Sequence, residues 1–131
     1  RIEIHSNLGE GPATVKGSPA LLARLLDNLL SNAGAHGAAR VEVWLHRSDG
    51  EVQLVVDDDG PGIAIHDRER LMRPFERGGE ARGSGGLGLA IAEQIARRHK
   101  GRLTIADCPL GGARLRLCLP LLEADPAQHG A

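Results

Sequence analysis

Apolar residues alternate with polar ones in some stretches of the chain and recur at helical spacing in others, and these periods lay out an α/β domain. Ile2 and Ile4 alternate with Glu3 and His5, predicting a half-exposed strand over 2–7, and a short second strand is expected at 13–16 after the 9–12 turn. Ser18 followed by Pro19 marks a helix start, because the hydroxyl accepts an orphan amide hydrogen while proline sits where no donor is needed. Leu21, Leu22, Leu25, Leu26, Leu29 and Leu30 then repeat at helical spacing until Gly34 and Gly37 close the helix. Residues 40–47 and 51–58 alternate on either side of Ser48-Asp49-Gly50, a predicted hairpin. A third, short helix is expected at 65–72. From 73 to 86 the chain is rich in glycine and has no apolar period, which predicts a mobile loop. Leu87, Ile91 and Ile95 define another helix, with Arg97-Arg98-His99-Lys100 at its negative dipole end and Gly101 as its stop. Strands at 102–107 and 113–119 meet at a Gly111-Gly112 turn. The expected architecture is a two-layer α/β sandwich, a mixed and largely antiparallel sheet of about five strands with three helices on one face.

Composition narrows the partners. A chain of 131 residues fits one domain with one core. Its 16 basic and 17 acidic residues give a formal net charge of −1, which makes no electrostatic case for nucleic acid or a membrane surface. No apolar run approaches the roughly 18 residues of a membrane span, and no leader precedes the first strand, so the domain is expected to be soluble. Cys108 and Cys118 lack zinc-site spacing and fall in strand-like segments, where packed thiols in a reducing cytoplasm are expected. Trp44 and Phe75 are too few for a base-stacking platform, so the core must be aliphatic. The chain opens on Arg1, as expected of a piece of a longer polypeptide whose remainder anchors or regulates it; residues 1–120 form the domain, and 121–131 are expected to be a disordered tail.

Three segments carry candidate chemistry. Asn28 and Asn32 stand one turn and about 40° apart on the first helix, so they either act together or share the solvent flank of Asp27 and Ser31. In LVVDDDGPGI, alternation carries Asp58 onto the face of Val52, Leu54 and Val56, while Asp57 and Asp59 point the other way. An inward carboxylate needs a donor, and the Gly60-Pro61-Gly62 turn lets a flat ligand with an amino group, such as a purine, approach the backbone; the rival reading is a hairpin-end turn with solvated acids. GSGGLGLAI, residues 83–91, is a glycine-rich loop entering a helix, where unpaired amides gather around phosphate oxygens.

In this order the segments resemble the catalytic ATP-binding domain of bacterial two-component sensor histidine kinases, within the gyrase, chaperone and mismatch-repair ATPase superfamily (the Bergerat-type fold, with a flexible ATP lid). NLLSNA is similar to the N box, DDGPGI to the first glycine box, LMRPFERG to the F box and GGLGLAI to the second glycine box. The resemblance implies Mg²⁺ and ATP as cofactors, with Asn32 giving its amide oxygen to the metal and Asn28 helping to hold metal and phosphates, these two being the catalytic pair. It implies that Asp58 accepts from the adenine amino group, that Gly60, Gly62 and Ile63 shape that pocket, that Phe75 and Arg77 stand at the lid base, and that Gly85, Gly86, Leu87, Gly88 and Leu89 meet the phosphates. His36 is a further possible nucleotide contact, or an exposed helix-end residue. His5, His46, His66, His99 and His129 read as solvated.

An amide at Asn28 cannot accept a proton from water as the glutamate of the hydrolysing relatives does, so the γ-phosphoryl group is kept for another acceptor. The resemblance names it: a histidine on the dimerisation and phosphotransfer domain of the same kinase, absent from this chain, from which a response regulator is later charged. It further implies a monomeric isolated domain, a homodimeric parent anchored in the inner membrane with this domain in the cytoplasm, and no nucleic-acid partner. Three departures stand out: Ala35 where a basic residue often reaches for phosphate, Ser84 for a glycine, and Met72 for the first F-box phenylalanine. Arg77, and less so Arg82, compensate. The rivals are an anti-sigma-factor-type Ser/Thr kinase and a degenerate, noncatalytic nucleotide-binding module.

Overall fold

A computed structural model of the chain describes residues 2–7, 13–35, 38–73 and 84–122. Five strands form one sheet in the order β1-β2-β3-β5-β4. They are β1 (Ile2–Asn7), β2 (Val41–Ser48), β3 (Glu51–Asp58), β4 (Arg102–Asp107) and β5 (Ala113–Pro120). β1 runs parallel to β2, and every other pair is antiparallel. The helices are α1 (Pro19–Ala35), α2 (Ile65–Leu71) and α3 (Ser84–Arg98). None of the described helices is long and apolar enough to cross a membrane.

Local chemistry starts α1 where the Ser18-Pro19 pair placed it. The Ser18 hydroxyl accepts the Leu21 N–H at 3.2 Å, and the Ser18 carbonyl accepts that of Leu22 at 2.9 Å. Leu25, Leu29 and Ala33, four residues apart, are buried against one face of the sheet, which supplies Val41, Val43, Leu54, Val56, Leu115 and Leu117. Leu89, Ala92, Ile95 and Ala96 of α3 complete this aliphatic core. The β2–β3 turn needs two residues of positive φ, met by Asp49 at 42° and Gly50 at 81°.

Several expectations fail. Residues 13–16 form no strand; among the described residues the link there is a backbone bond, Leu122 N–H to the Thr14 carbonyl at 2.6 Å. The glycine-rich stretch is not irregular to its end, because α3 begins at Ser84 and takes Gly85 and Gly86 into its first turn. Burial of Leu89 and Ala92 outweighs the poor helix propensity of those glycines. At the other end of α3 the positive φ falls on Lys100, at 63°, while Gly101 is needed for space: a Cβ there would lie 2.2 Å from the Cys118 carbonyl oxygen. His99 is not solvated. Its Nε2 accepts the Ser18 N–H at 3.1 Å and its Nδ1 pairs with the Ile95 carbonyl at 2.8 Å, so the ring joins the start of α1 to the end of α3. His5 is half-buried and stacks on Trp44 at 4.1 Å between centroids.

The sheet face away from the helices holds the other surprise. Asp57 does point that way, yet it is only 2% exposed. Arg114, its partner across β3–β5, donates Nε and Nη2 to its two oxygens, each at 2.8 Å. The carboxylate in turn raises the Arg114 pKa above its ordinary value. Arg114→Ala strands that charge and is expected to cost about 3 kcal/mol of stability in urea unfolding; a change below about 1 kcal/mol would show Asp57 to be hydrated instead.

Candidate functional site

The second half of α1 faces the first turn of α3. A Cβ added at Gly88 would come 4.0 Å from the Asn28 Cβ, so the absent side chain leaves room beside that amide. One turn on, Asn32 is 2% exposed, which overturns a solvent-flank reading for it, whereas Asp27 and Ser31 are exposed. Asn28 Nδ2 and Asn32 Oδ1 are both buried without a hydrogen-bond partner among the described residues. An unmet buried polar atom costs about 1–3 kcal/mol, a cost tolerated where a ligand meets it. One unmet donor and one unmet acceptor thus stand a turn apart. The acceptor is a neutral oxygen, the donor type that Mg²⁺ takes, and it adds no charge beside a polyphosphate, so the residues present fit that ion.

Backbone N–H groups after α1 tie it to Asp59, just past the end of β3. Ala38 N–H reaches the Ala33 carbonyl, and the next two N–H groups, of Ala39 and Arg40, donate to Asp59 Oδ1 at 2.9 and 3.0 Å. The Arg40 N–H is the chief cause of a lowered Asp59 pKa. Asp58, next to it, is 3% exposed and is held by the β4–β5 turn. Its Oδ1 accepts the N–H of Gly60 at 2.9 Å and of Ala113 at 3.3 Å. Its carbonyl accepts the Gly112 N–H at 3.1 Å and the Cys108 S–H at 3.1 Å. Cys108 therefore lies in a turn, not a strand, while Cys118 is buried in β5, where desolvation raises its pKa. Both described bonds to the Asp58 side chain end on Oδ1, which leaves Oδ2 as the atom to offer an amino group.

Between Asp58 and α2 runs the Gly60-Pro61-Gly62-Ile63 turn. Gly62 has φ +81°, and Ile63 is buried in the core beneath it. Gly85, Gly86 and Leu87 place their backbone in the first turn of α3, and Leu89 sends its side chain wholly into the core. His36, Phe75, Arg77 and Arg82 lie outside the described residues; Met72 packs partly against the core. Sequence reasoning missed Gly112, whose Cβ would meet Asp58 Oδ1 at 2.2 Å, and Arg68, which bridges Ile63 and Asp107. The positive φ of this turn falls on Gly111, so Gly112 is needed for space and not for conformation, which the sequence does not show.

Other clusters differ in kind. Glu3, His5 and Glu42 bring ligand-type atoms within 4.8 Å of one another, but the Arg40 guanidinium already lies 2.6 Å from Glu42. A cavity of about 460 Å³ at the opposite end of α1 is lined by Lys16, Ser18, Leu21, Arg98, Lys100 and Leu122, among others.

Residues 17–123 match the family of histidine kinase-, DNA gyrase B-, and HSP90-like ATPases. The chain belongs to this ATPase family. Sensor histidine kinase CpxA of Escherichia coli (strain K12) is 41% identical over 121 residues, covering 89% of this chain but 26% of that protein. The chain thus spans about a quarter of the length of such relatives. Among solved structures, the ATP binding domain of PrrB from Mycobacterium tuberculosis is 32% identical, with a TM-score of 0.72 over 92% of this chain and 82% of that one. The mycobacterial sensor histidine kinase MprB gives 31% and 0.74, over 94% and 84%. As a member of this ATPase family, the chain is a nucleotide-binding domain of the type that forms the catalytic module of sensor histidine kinases.

Proposed function

We propose that the chain binds Mg-ATP between α1, the first turn of α3 and the 58–63 turn, and passes the γ-phosphoryl group to a histidine on a separate dimerisation domain of its parent kinase. The observation that carries this reading is the pair of buried atoms on α1 without partners among the described residues, at the same end of the fold as a buried Asp58 whose described side-chain bonds all fall on Oδ1. Asn32 Oδ1 would hold Mg²⁺, and Asn28 would reach phosphate oxygens and assist the metal. Asp58 would accept from the adenine amino group over Gly60, Gly62 and Ile63. Gly85 and Gly86 would offer unpaired backbone N–H groups at the α3 N-terminus to the phosphates, Leu87, Gly88 and Leu89 would shape the helix turn beside them, and His36, Phe75 and Arg77 would be further contacts. When bound, Mg²⁺ supplies charge neutralisation across the phosphates.

The chain's own groups orient the nucleotide and keep water from becoming the acceptor. Asn28 lacks the basicity to deprotonate water, so the bound triphosphate waits for a nucleophile that needs less activation. The imidazole of a histidine on another domain meets that requirement, and a response regulator would take the group onward. In the parent, this domain would lie on the cytoplasmic side of a membrane-anchored homodimer.

The test mixes the chain with γ-labelled ATP and the parent's dimerisation fragment. Acid-labile label on the fragment is expected. Acid-stable label would indicate a hydroxyl acceptor, and nucleotide binding without any label would indicate a noncatalytic module.

A further inference from the structure

We infer that Arg68 is a positioning residue for the adenine end of the nucleotide: by joining the Ile63 carbonyl to Asp107 it closes a ring of contacts that fixes the Asp58 carboxylate. The inference rests on the ATP reading above and goes beyond it by assigning nucleotide selectivity to a residue outside every motif of the site.

Arg68 lies in α2 with its side chain only 18% exposed. Its Nε donates to the Ile63 carbonyl at 2.9 Å, and its Nη2 donates to Asp107 Oδ1 at 2.6 Å. Ile63 ends the turn that begins at Asp58, and Asp107 ends β4. From Asp107 the chain enters the β4–β5 turn, where Cys108, Gly112 and Ala113 all donate to Asp58. The turn also ties itself together, Cys108 N–H to the Gly112 carbonyl at 3.2 Å and Gly111 N–H to that of Cys108 at 3.0 Å. Two loops are thus bound at one end through Asp58 and at the other through Arg68.

The segment between those anchors is Asp59-Gly60-Pro61-Gly62, whose two glycines contribute no side-chain packing. Asp59 and Gly60 are held by their own bonds, so the shape of the Pro61-Gly62 half depends on the Ile63 end. The Ile63 carbonyl takes a charge-assisted bond from the guanidinium, stronger than a neutral one. The Asp107 carboxylate is 82% exposed, so that half of the bridge is screened and contributes less. Only a fork reaches both partners at once, which a lysine cannot reproduce. Without Arg68 the turn keeps the Asp59 bonds at its start and the buried Ile63 side chain but loses the charge-assisted bond on the Ile63 carbonyl and the link to the β4–β5 turn, so Asp58 no longer presents Oδ2 in one direction. The triphosphate end, built on α1 and α3, stays as it was.

A merely structural role would lower stability and weaken all nucleotides alike, whereas positioning changes the ratio of ATP to GTP affinity. Calorimetry of the 131-residue chain with Mg-ATP and Mg-GTP, for wild type, Asp58→Asn, Arg68→Ala and Arg68→Lys, separates the two. Wild type is expected to prefer ATP and Asp58→Asn to lose that preference; if wild type shows none, the adenine role of Asp58 fails before Arg68 is tested. Given that preference, Arg68→Ala is expected to weaken ATP about tenfold with GTP unchanged, and Arg68→Lys to fall between. An unaltered ATP-to-GTP ratio in Arg68→Ala, or equal loss of both nucleotides, overturns the inference. Should Arg68→Ala fail to fold, the ratio in Arg68→Lys decides: intermediate supports, wild-type overturns.

Discussion

Asn32→Ala is expected to weaken Mg-dependent nucleotide binding at least about 100-fold, the upper end of what loss of even an outer-shell partner costs a metal site. The same substitution should leave the free chain as stable as before, or slightly more so. Asn32 is 2% exposed and its Oδ1 has no partner among the described residues, so alanine removes an unmet buried acceptor. Alanine is also the better helix former in the last turn of α1, where Asn32 stands. Function and stability then move in opposite directions, the mark of a group kept for a ligand. Calorimetry with Mg-ATP and urea unfolding of the free chain check the two halves. A drop in stability with unchanged binding would make Asn32 a packing residue.

Gly112→Ala should damage the opposite end of the site. The new methyl would sit 2.2 Å from Asp58 Oδ1, 2.5 Å from the Asp58 carbonyl oxygen and 2.7 Å from the Gly60 nitrogen. Two of those three atoms are backbone and cannot swing away, so the β4–β5 turn has to part from the 58–63 turn. A stability loss of about 3 kcal/mol is expected, together with loss of the preference for ATP over GTP. Its neighbour is the control. Gly111 has φ +101° with nothing within 4 Å, so alanine there meets only backbone strain of about 1–2 kcal/mol and leaves nucleotide preference untouched. Urea midpoints and paired ATP and GTP titrations distinguish the two glycines. Equal effects at both positions would mean that the turn matters only for its conformation.

What the sequence made legible was local. The Ser18 cap and the leucine period located the start and body of α1, and Asp49-Gly50 located the β2–β3 hairpin, because each signal lies within a few residues of its consequence. The remainder depends on partners far along the chain. Asp57 reads as a solvated acid until Arg114, 57 residues later, is brought across from β5. His99 looks like helix-end charge until Ser18, 81 residues earlier, donates to it. The start of α3 was hidden because glycine argues against helix locally, and only packing of Leu89 and Ala92 decides otherwise. The N box and the first glycine box supplied the residue types of the site, since amide and carboxylate chemistry shows in the letters. The supports of that site did not show, because Gly112 acts by lacking atoms and Arg68 by reaching a carbonyl.

The most direct measurement is a crystal structure of the chain with Mg²⁺ and a nonhydrolysable ATP analogue. One nucleotide is expected, with the metal on Asn32 Oδ1, the exocyclic amine on Asp58, and phosphates at the first turn of α3. A nucleotide seated in the basic cavity of Lys16, Arg98 and Lys100, with Asn32 and Asp58 untouched, would contradict the account.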